Sequence, residues 1–334
     1  MAMPFQTTAW PFRFHRCASL VGFFLLGLAC LSCRAEHPIQ VHSGMANASV
    51  AVPAGPDLFL TGADDDNLIK LYRANADGKP LMQFDPSPWL QLEGRSRDVN
   101  IEGAARIGDV VYWLGSHGRS KDGHPRPNRQ RLFATKLTEG TNGPSLAFLG
   151  RPCTNLLEAL ISAPQLAAFK LKEAAQRAPG DKRGLNLEGL SAMPDGGLLL
   201  GFRGPIPDGK ALLVPLLNPS DVIQGEAPRL GQPLQLDLGG LGIRDIAWSG
   251  QEYFLIAGRS GSGGVSQLWR WAGGEAKPEQ LEHPSLRHMN SEGIAIFGPP
   301  EKPRLLIVSD DGNRVAEPMR ALVTATFRSV WIKP

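Results

Sequence analysis

Five times along the chain a short apolar stretch, a turn and a nearly continuous apolar run follow one another. The runs are DLFLTG (57–62), VVYWLG (110–115), LLLGF (198–202), YFLIAG (253–258) and RLLIVS (304–309). Their shortness and their β-branched and aromatic content suit strands buried on both faces rather than helices. The turns are Pro53–Pro56, Gly108-Asp109, Pro194–Gly197, Gly250-Gln251 and Gly298–Pro300, all strong breakers. Further strand candidates follow: NLIKLYRA, QRLFATKL, ALLVPLL, QLWRWA and ALVTATF as third strands, then LMQFDP, SLAFLG, PLQLDL and PEQLEH as fourth. RSVWIK ends the last unit.

The copies align beyond these runs. NIEGAARIGDVVYWLGSHGR starts at Asn100 and NLEGLSAMPDGGLLLGFRGP at Asn186. GIRDIAWSGQEYFLIAGRSG starts at Gly242, NSEGIAIFGPPEKPRLLIVSDDGN at Asn290 and NASVAVPAGPDLFLTGADDDN at Asn47. Four-stranded units recurring about every 50 residues predict an all-β fold, a five-bladed β-propeller. A sixth blade hidden in 141–185 is the alternative. Within that region, 155–180 has helical periodicity (Leu156, Leu157, Leu160, Ile161, then Leu166, Phe169, Leu171), is divided by Pro164 and stops at Gly180. It predicts a helical insert, either a lid over a channel mouth or packing.

The repeat also places polar residues. Ser49 to Asp64, Glu102 to His117, Glu188 to Arg203 and Arg244 to Arg259 are each fifteen residues apart; Glu292 to Asp310 is longer across a Pro-rich turn. The first strand of each blade lines the channel and the second returns to the same rim. Ser49, Glu102, Glu188, Arg244 and Glu292 are therefore expected around one mouth, with Asp64, His117, Arg203, Arg259 and Asp310 just outside. Converging carboxylates either gain protons or acquire a cation. Ca²⁺ or Mg²⁺ takes such oxygens, from Glu102, Glu188, Glu292, Asp64 and Asp310, with Asn100, Asn186 and Asn290 two residues before each Glu on the same side of the strand. The structural alternative pairs Glu102 with His117 and Glu188 with Arg203 across each hairpin, and makes Arg244 an internal counter-ion.

Among the weaker features, GADDDN (62–67) and SDDGN (309–313) are oxygen-rich but lack EF-hand spacing. The loop SHGRSKDGHPRPNRQRLF (116–133) gathers Arg119, Arg126 and Arg129 on the same rim, where with Arg203 and Arg244 they are candidates to hold an anionic substrate. There is no nucleophile elbow, P-loop, Cys-x-x-Cys or His-Glu-x-x-His.

The N-terminus changes how the composition reads. Arg13, His15 and Arg16 precede an apolar stretch over 19–32 and small residues up to Ala35, which predicts a secretory signal over 1–35 and a single domain over 36–334. A lipid anchor at Cys30 or Cys33 is the alternative. The expected location is periplasmic or extracellular, with no transmembrane helix in the mature chain. The signal holds three arginines and no acid, so the chain's 35 Lys+Arg against 32 Asp+Glu becomes 32 against 32. A neutral domain lacks the basic face a nucleic acid needs. Cys153 alone remains of four cysteines, so stability rests on a core, and Cys153 itself reads as a small buried apolar residue.

The stretches NIEGAARIGDVVYWLGSHGRSKDGHPRPNRQRLFA and NLEGLSAMPDGGLLLGFRGP resemble the bacterial family designated domain of unknown function 3616, over roughly 45–330. The resemblance implies a propeller-like fold and no established activity. More distantly, Glu-Gly opening an inner strand is similar to gluconolactonases and phytase-like esterase domains. The former imply a Glu, an Asn and an Asp on a divalent cation, with Glu102, Glu188 or Glu292 in the place of the Glu. Two functions are thus expected. One is an exported hydrolase of a small anionic ester, lactone or phosphate, using Ca²⁺ or Mg²⁺ and no organic cofactor, with Glu102, Glu188, Glu292 and His117 moving protons. The other is a non-catalytic propeller binding a ligand or an envelope protein. A monomer is expected in both.

Overall fold

The computed structural model describes residues 1–2, 39–141, 143–261, 265–312 and 325–334. All but residues 1–2 of the signal segment, Cys30 and Cys33 included, fall outside the described residues. Among those described, no helix is long and apolar enough to cross a membrane.

Each apolar run becomes the second strand of a four-stranded antiparallel sheet, and five such sheets form the propeller. The first blade comprises Val52–Pro53, Leu58–Thr61, Ile69–Arg73 and Met82–Phe84. The second comprises Ile101–Ile107, Val110–Gly115, Leu132–Gly140 and Gly143–Cys153. Asn186–Ala192, Leu198–Gly204, Ala211–Leu216 and Leu234–Leu236 form the third, and Gly242–Trp248, Tyr253–Gly258, Gln267–Trp271 and Glu279–Leu281 the fourth.

The fifth blade corrects the sequence expectation. Its third strand is Thr326–Ile332, which joins the end of ALVTATF to RSVWIK, and its fourth is the N-terminal Gln40–Ser43. One chain end thus closes the ring against the other. This covers the long edge of Thr326–Ile332 and leaves only the four-residue Gln40–Ser43 as the blade's outer edge, a short template for pairing with another chain.

The core is divided among the five blade interfaces. Val52, Leu60, Ile101 and Trp113 meet between blades 1 and 2; Leu114, Leu187 and Leu200 between 2 and 3; Leu199, Leu213, Ile243 and Leu255 between 3 and 4. Phe254, Ile256, Ile294 and Ile307 fill the interface of blades 4 and 5, and Ala51, Phe59, Leu306 and Phe327 that of 5 and 1. Five interfaces for five blades leave no gap for a sixth. The insert forms helices Leu156–Ser162 and Leu171–Ala174 with a 3-10 turn, Pro164–Phe169, between them. Its Leu156, Leu157, Leu160, Leu166 and Leu171 are buried in the blade 2–3 core, so its apolar face packs rather than hangs over the mouth.

Candidate functional site

The site begins with a backbone device repeated in four blades. The pairing of first and second strands skips one residue: Ile101 pairs with Gly115 and Gly103 with Leu114, passing over Glu102. The same slip passes over Glu188, Arg244 and Glu292. Each repeat residue is thus the extra member of a β-bulge, which frees it from the ladder and re-aims its side chain. The glycine that follows allows the next inner strand to approach. A Cβ on Gly103 would lie 2.9 Å from Leu190 Cβ, and one on Gly189 2.7 Å from Ile243 Cγ2.

Blade 4 departs from this pattern and reveals a residue the repeat comparison passed over. Asp245 replaces the glycine, and its carboxylate accepts from the Ile246 and Ile294 amides, both at 2.8 Å. Asp245 is buried and stitches two inner strands together. The signal was present as the one Asp in the Gly column.

The ring is electrostatically lopsided. Arg203 Nη1 donates to Glu188 Oε1 at 2.6 Å, while its Nε and Nη2 donate to the Arg259 and Gly261 carbonyls at 2.8 and 3.1 Å. Arg244 forms a close ion pair with Glu292 and also reaches Asn290 Oδ1. Blades 3 to 5 therefore follow the structural pairing reading. Glu102 has no such partner: it accepts from Asn100 Nδ2 at 3.0 Å, and the same amide donates to the Asp64 carbonyl at 3.1 Å. Asn186 likewise donates to Glu188 at 2.7 Å, whereas Asn290 turns to Asp310 at 3.1 Å. The asparagines present N–H groups to these carboxyls and position them.

His117 does not meet Glu102. At φ 55° it turns its ring back, Nδ1 lying 2.7 Å from the Gly115 carbonyl, and Nε2 is buried without a hydrogen-bond partner. Burial pulls its pKa down to about 4, so it is a neutral imidazole at pH 7. The basic loop is largely structural. Arg119 donates to Ala175 and Gly123 carbonyls and to Gln176 Oε1, tying the insert to the loop; Arg129 holds Asp98 at 2.7 Å. Arg126 has its Nε buried without a partner.

Charge at the unpaired sector follows from this asymmetry. Burial, with Glu188, Asp64 and Glu292 nearby, raises the Glu102 pKa well above the ordinary carboxylate value. Burial, then Asp310 and Asp65, push Asp64 up to about 6. Burial raises Glu292 as well, against the pull of its partner Arg244. Around Asp64, three buried oxygens, Asp64 Oδ1, Asn47 Oδ1 and Ser49 Oγ, have no hydrogen-bond partner among the described residues. Such groups call for a water, a ligand hydroxyl or a cation. A cage of three glutamates for a divalent cation does not form, because Glu188 and Glu292 face arginines. Among the described residues no group of three or more His, Cys, Asp or Glu is placed to hold a metal.

The opposite end of the channel is lined mainly by apolar side chains, with Arg106 and Ser191 among them. Residues of all five inner strands line a cavity of about 280 Å³ there, among them Val52, Ala104, Leu190, Ile246 and Ile294. Only the carboxyl-bearing mouth carries the titratable cluster.

A family model described as "Protein of unknown function (DUF3616)" matches residues 149–325. No curated protein matches the chain. Similar solved structures include the PQQ-bound aldose sugar dehydrogenase of Streptomyces coelicolor, 12% identical over 89% of this chain and 99% of that one, with a TM-score of 0.42. Others are the allergen Mala s 1 of Malassezia sympodialis (9% identity, 86% and 92% coverage, TM-score 0.48) and the glutaminyl cyclase of Myxococcus xanthus (13%, 89% and 97%, 0.43). Likeness at this level carries no argument about activity.

Proposed function

Since the chain belongs to the family of proteins of unknown function DUF3616, which supplies no activity to transfer, we propose from the site itself that it is an exported acid–base hydrolase. The observation that carries this reading is Glu102. Among the described residues it is the ring glutamate with no salt bridge to an arginine, and burial, with Glu188, Asp64 and Glu292 nearby, raises its pKa well above the ordinary carboxylate value. A carboxyl of this kind is a proton donor, and Asp64, ionising near pH 6, is a base at pH 7. Water bound by Asp64 attacks an ester, lactone or phosphoryl centre. Asp64 takes the proton of that water, and Glu102 gives its own to the departing oxygen. Asn100, bonded to both segments, fixes their spacing.

The test is turnover of p-nitrophenyl esters, aliphatic lactones and p-nitrophenyl phosphate by wild type, Glu102→Gln and Asp64→Asn, with circular dichroism as the folding control. We expect each substitution to lower kcat by at least a hundredfold. Wild-type turnover persisting in Glu102→Gln, or no turnover of any class by the wild type, would overturn the reading in favour of a non-catalytic ligand- or protein-binding propeller.

A second reading rests on the partnerless oxygens of Asp64, Asn47 and Ser49. They supply hard donors for Ca²⁺ or Mg²⁺ in the blade 1 sector. Calorimetric titration with CaCl₂ decides it: binding with a stoichiometry of one, abolished in Asp64→Asn, supports the cation, and no heat at millimolar Ca²⁺ removes it.

A further inference from the structure

On the carboxyl-bearing rim, between blades 3 and 4, lies a groove of about 1080 Å³ that the acid–base chemistry does not use. Its lining includes Lys182, Arg183 and Arg259 and no Asp or Glu. Asp181, beside Lys182, is drawn to Arg177 at 3.2 Å. The floor is opened by glycines: a Cβ added at Gly180, Gly209, Gly239 or Gly240 would meet nothing within 4 Å. One wall is a polar and aromatic strip from paired strands. Gln267 and Trp269 alternate on the third strand of blade 4, and Gln280 pairs with Trp269 from the fourth. The indole Nε1 of Trp269 is buried with no hydrogen-bond partner.

We propose that this groove binds an acidic saccharide, a sugar chain bearing carboxylate, sulfate or phosphate groups. The cations supply the anion contacts; an indole face, an N–H donor and two side-chain amides match the apolar and hydroxyl faces of a pyranose ring. The volume lies at the upper end of the range of about 300–1,000 Å³ usual for small-molecule sites. The groove adjoins the channel mouth: the carbonyls of Arg259 and Gly261, two of its lining residues, hold Arg203 of the ring. The binding itself does not depend on the hydrolase reading.

The experiment is isothermal titration of the full mature chain with trigalacturonate, a sulfated heparin disaccharide and glucose 6-phosphate, against uncharged maltotriose. Each is run at 50 and 500 mM NaCl. Binding of at least one anionic sugar is expected, weakened at least tenfold by Lys182→Ala/Arg183→Ala, and several-fold by Arg259→Ala or Trp269→Phe. The Arg259 substitution leaves its backbone carbonyl on Arg203. Salt should weaken the binding, and Glu102→Gln should leave it unchanged. This last arm separates failure of the groove from failure of the hydrolase reading. Equal binding of maltotriose, unaltered affinity in the double variant, or no binding of any anionic sugar at 10 mM would overturn the proposal.

Discussion

At the scale of single residues, Glu188 and Arg203 show what fifteen residues of spacing can specify. The two side chains meet at 2.6 Å with only 4% and 14% of their surfaces exposed. Removing one member of such a pair leaves a buried charge, at a cost of about 3–5 kcal/mol, whereas removing both leaves none. Arg203→Met is therefore expected to lower unfolding free energy in urea by about that amount, and Glu188→Gln with Arg203→Met by much less. Equal losses for the single and double variants would show that the pair is not coupled. The pair was legible because both residues sit at fixed places in a repeat. The Glu102–His117 pair expected on the same arithmetic does not form, because His117 takes a left-handed backbone conformation that turns its ring to Gly115. No pattern of residue types carries that dihedral. The roles of the asparagines were half legible: their side of the strand followed from the period of two, but not whether each offers oxygen or N–H.

At the scale of elements, the bulge and its glycine decide how closely inner strands approach. A methyl on Gly189 would press against Ile243 Cγ2 at 2.7 Å and Ile246 Cγ2 at 3.1 Å, both on the next blade. Overpacking of this kind costs about 1–3 kcal/mol, so Gly189→Ala should lower stability by that amount and disturb the blade 3–4 interface. Asp245→Ala asks the complementary question. It leaves the buried Ile294 amide without its acceptor, at about 1–3 kcal/mol, while Asp245→Asn retains an acceptor oxygen and should cost less. Chemical denaturation of the three variants measures both effects, and a neutral Gly189→Ala would show that the strands can separate without penalty. The Glu-Gly dipeptide was conspicuous in the sequence as an acid to be matched to chemistry. Half of its reason is this packing requirement, which only the neighbouring blade reveals.

For the whole molecule, the closing strand carries the consequence. The repeat made five blades legible, but not which segment completes the fifth. Gln40–Ser43 is four residues of mixed polarity, QVHS, with no apolar run to mark it. Its ring of contacts is long-range: His42 is buried among Phe59, Tyr72 and Phe327, and its Nε2 lies 2.8 Å from Ser329 Oγ. Burial lowers the His42 pKa to about 4, with Asp77 opposing. The sign follows from which state takes the proton first. The unfolded chain protonates near 6.5 and the closed ring only near 4, so stability is lost as pH falls from about 6.5 to 4 and then levels. Burial gives His117 the same sense of shift. Asp64, raised to about 6, acts oppositely: its contribution is complete below about 4 and is lost as pH rises through 6. Two experiments isolate the closure. Deleting residues 36–43 uncovers the edge of Thr326–Ile332 and removes the aromatic contacts of His42, with an expected loss of about 3–5 kcal/mol, the range for emptying a ring-sized core site, and a tendency to self-associate. His42→Phe keeps a ring in that site and removes the titrating group. Its urea midpoint should therefore fall less than that of the wild type between pH 6.5 and 4, the remaining slope being set by His117 and the opposing Asp64. Parallel pH profiles for the two proteins would mean that the closing strand is not where acid acts.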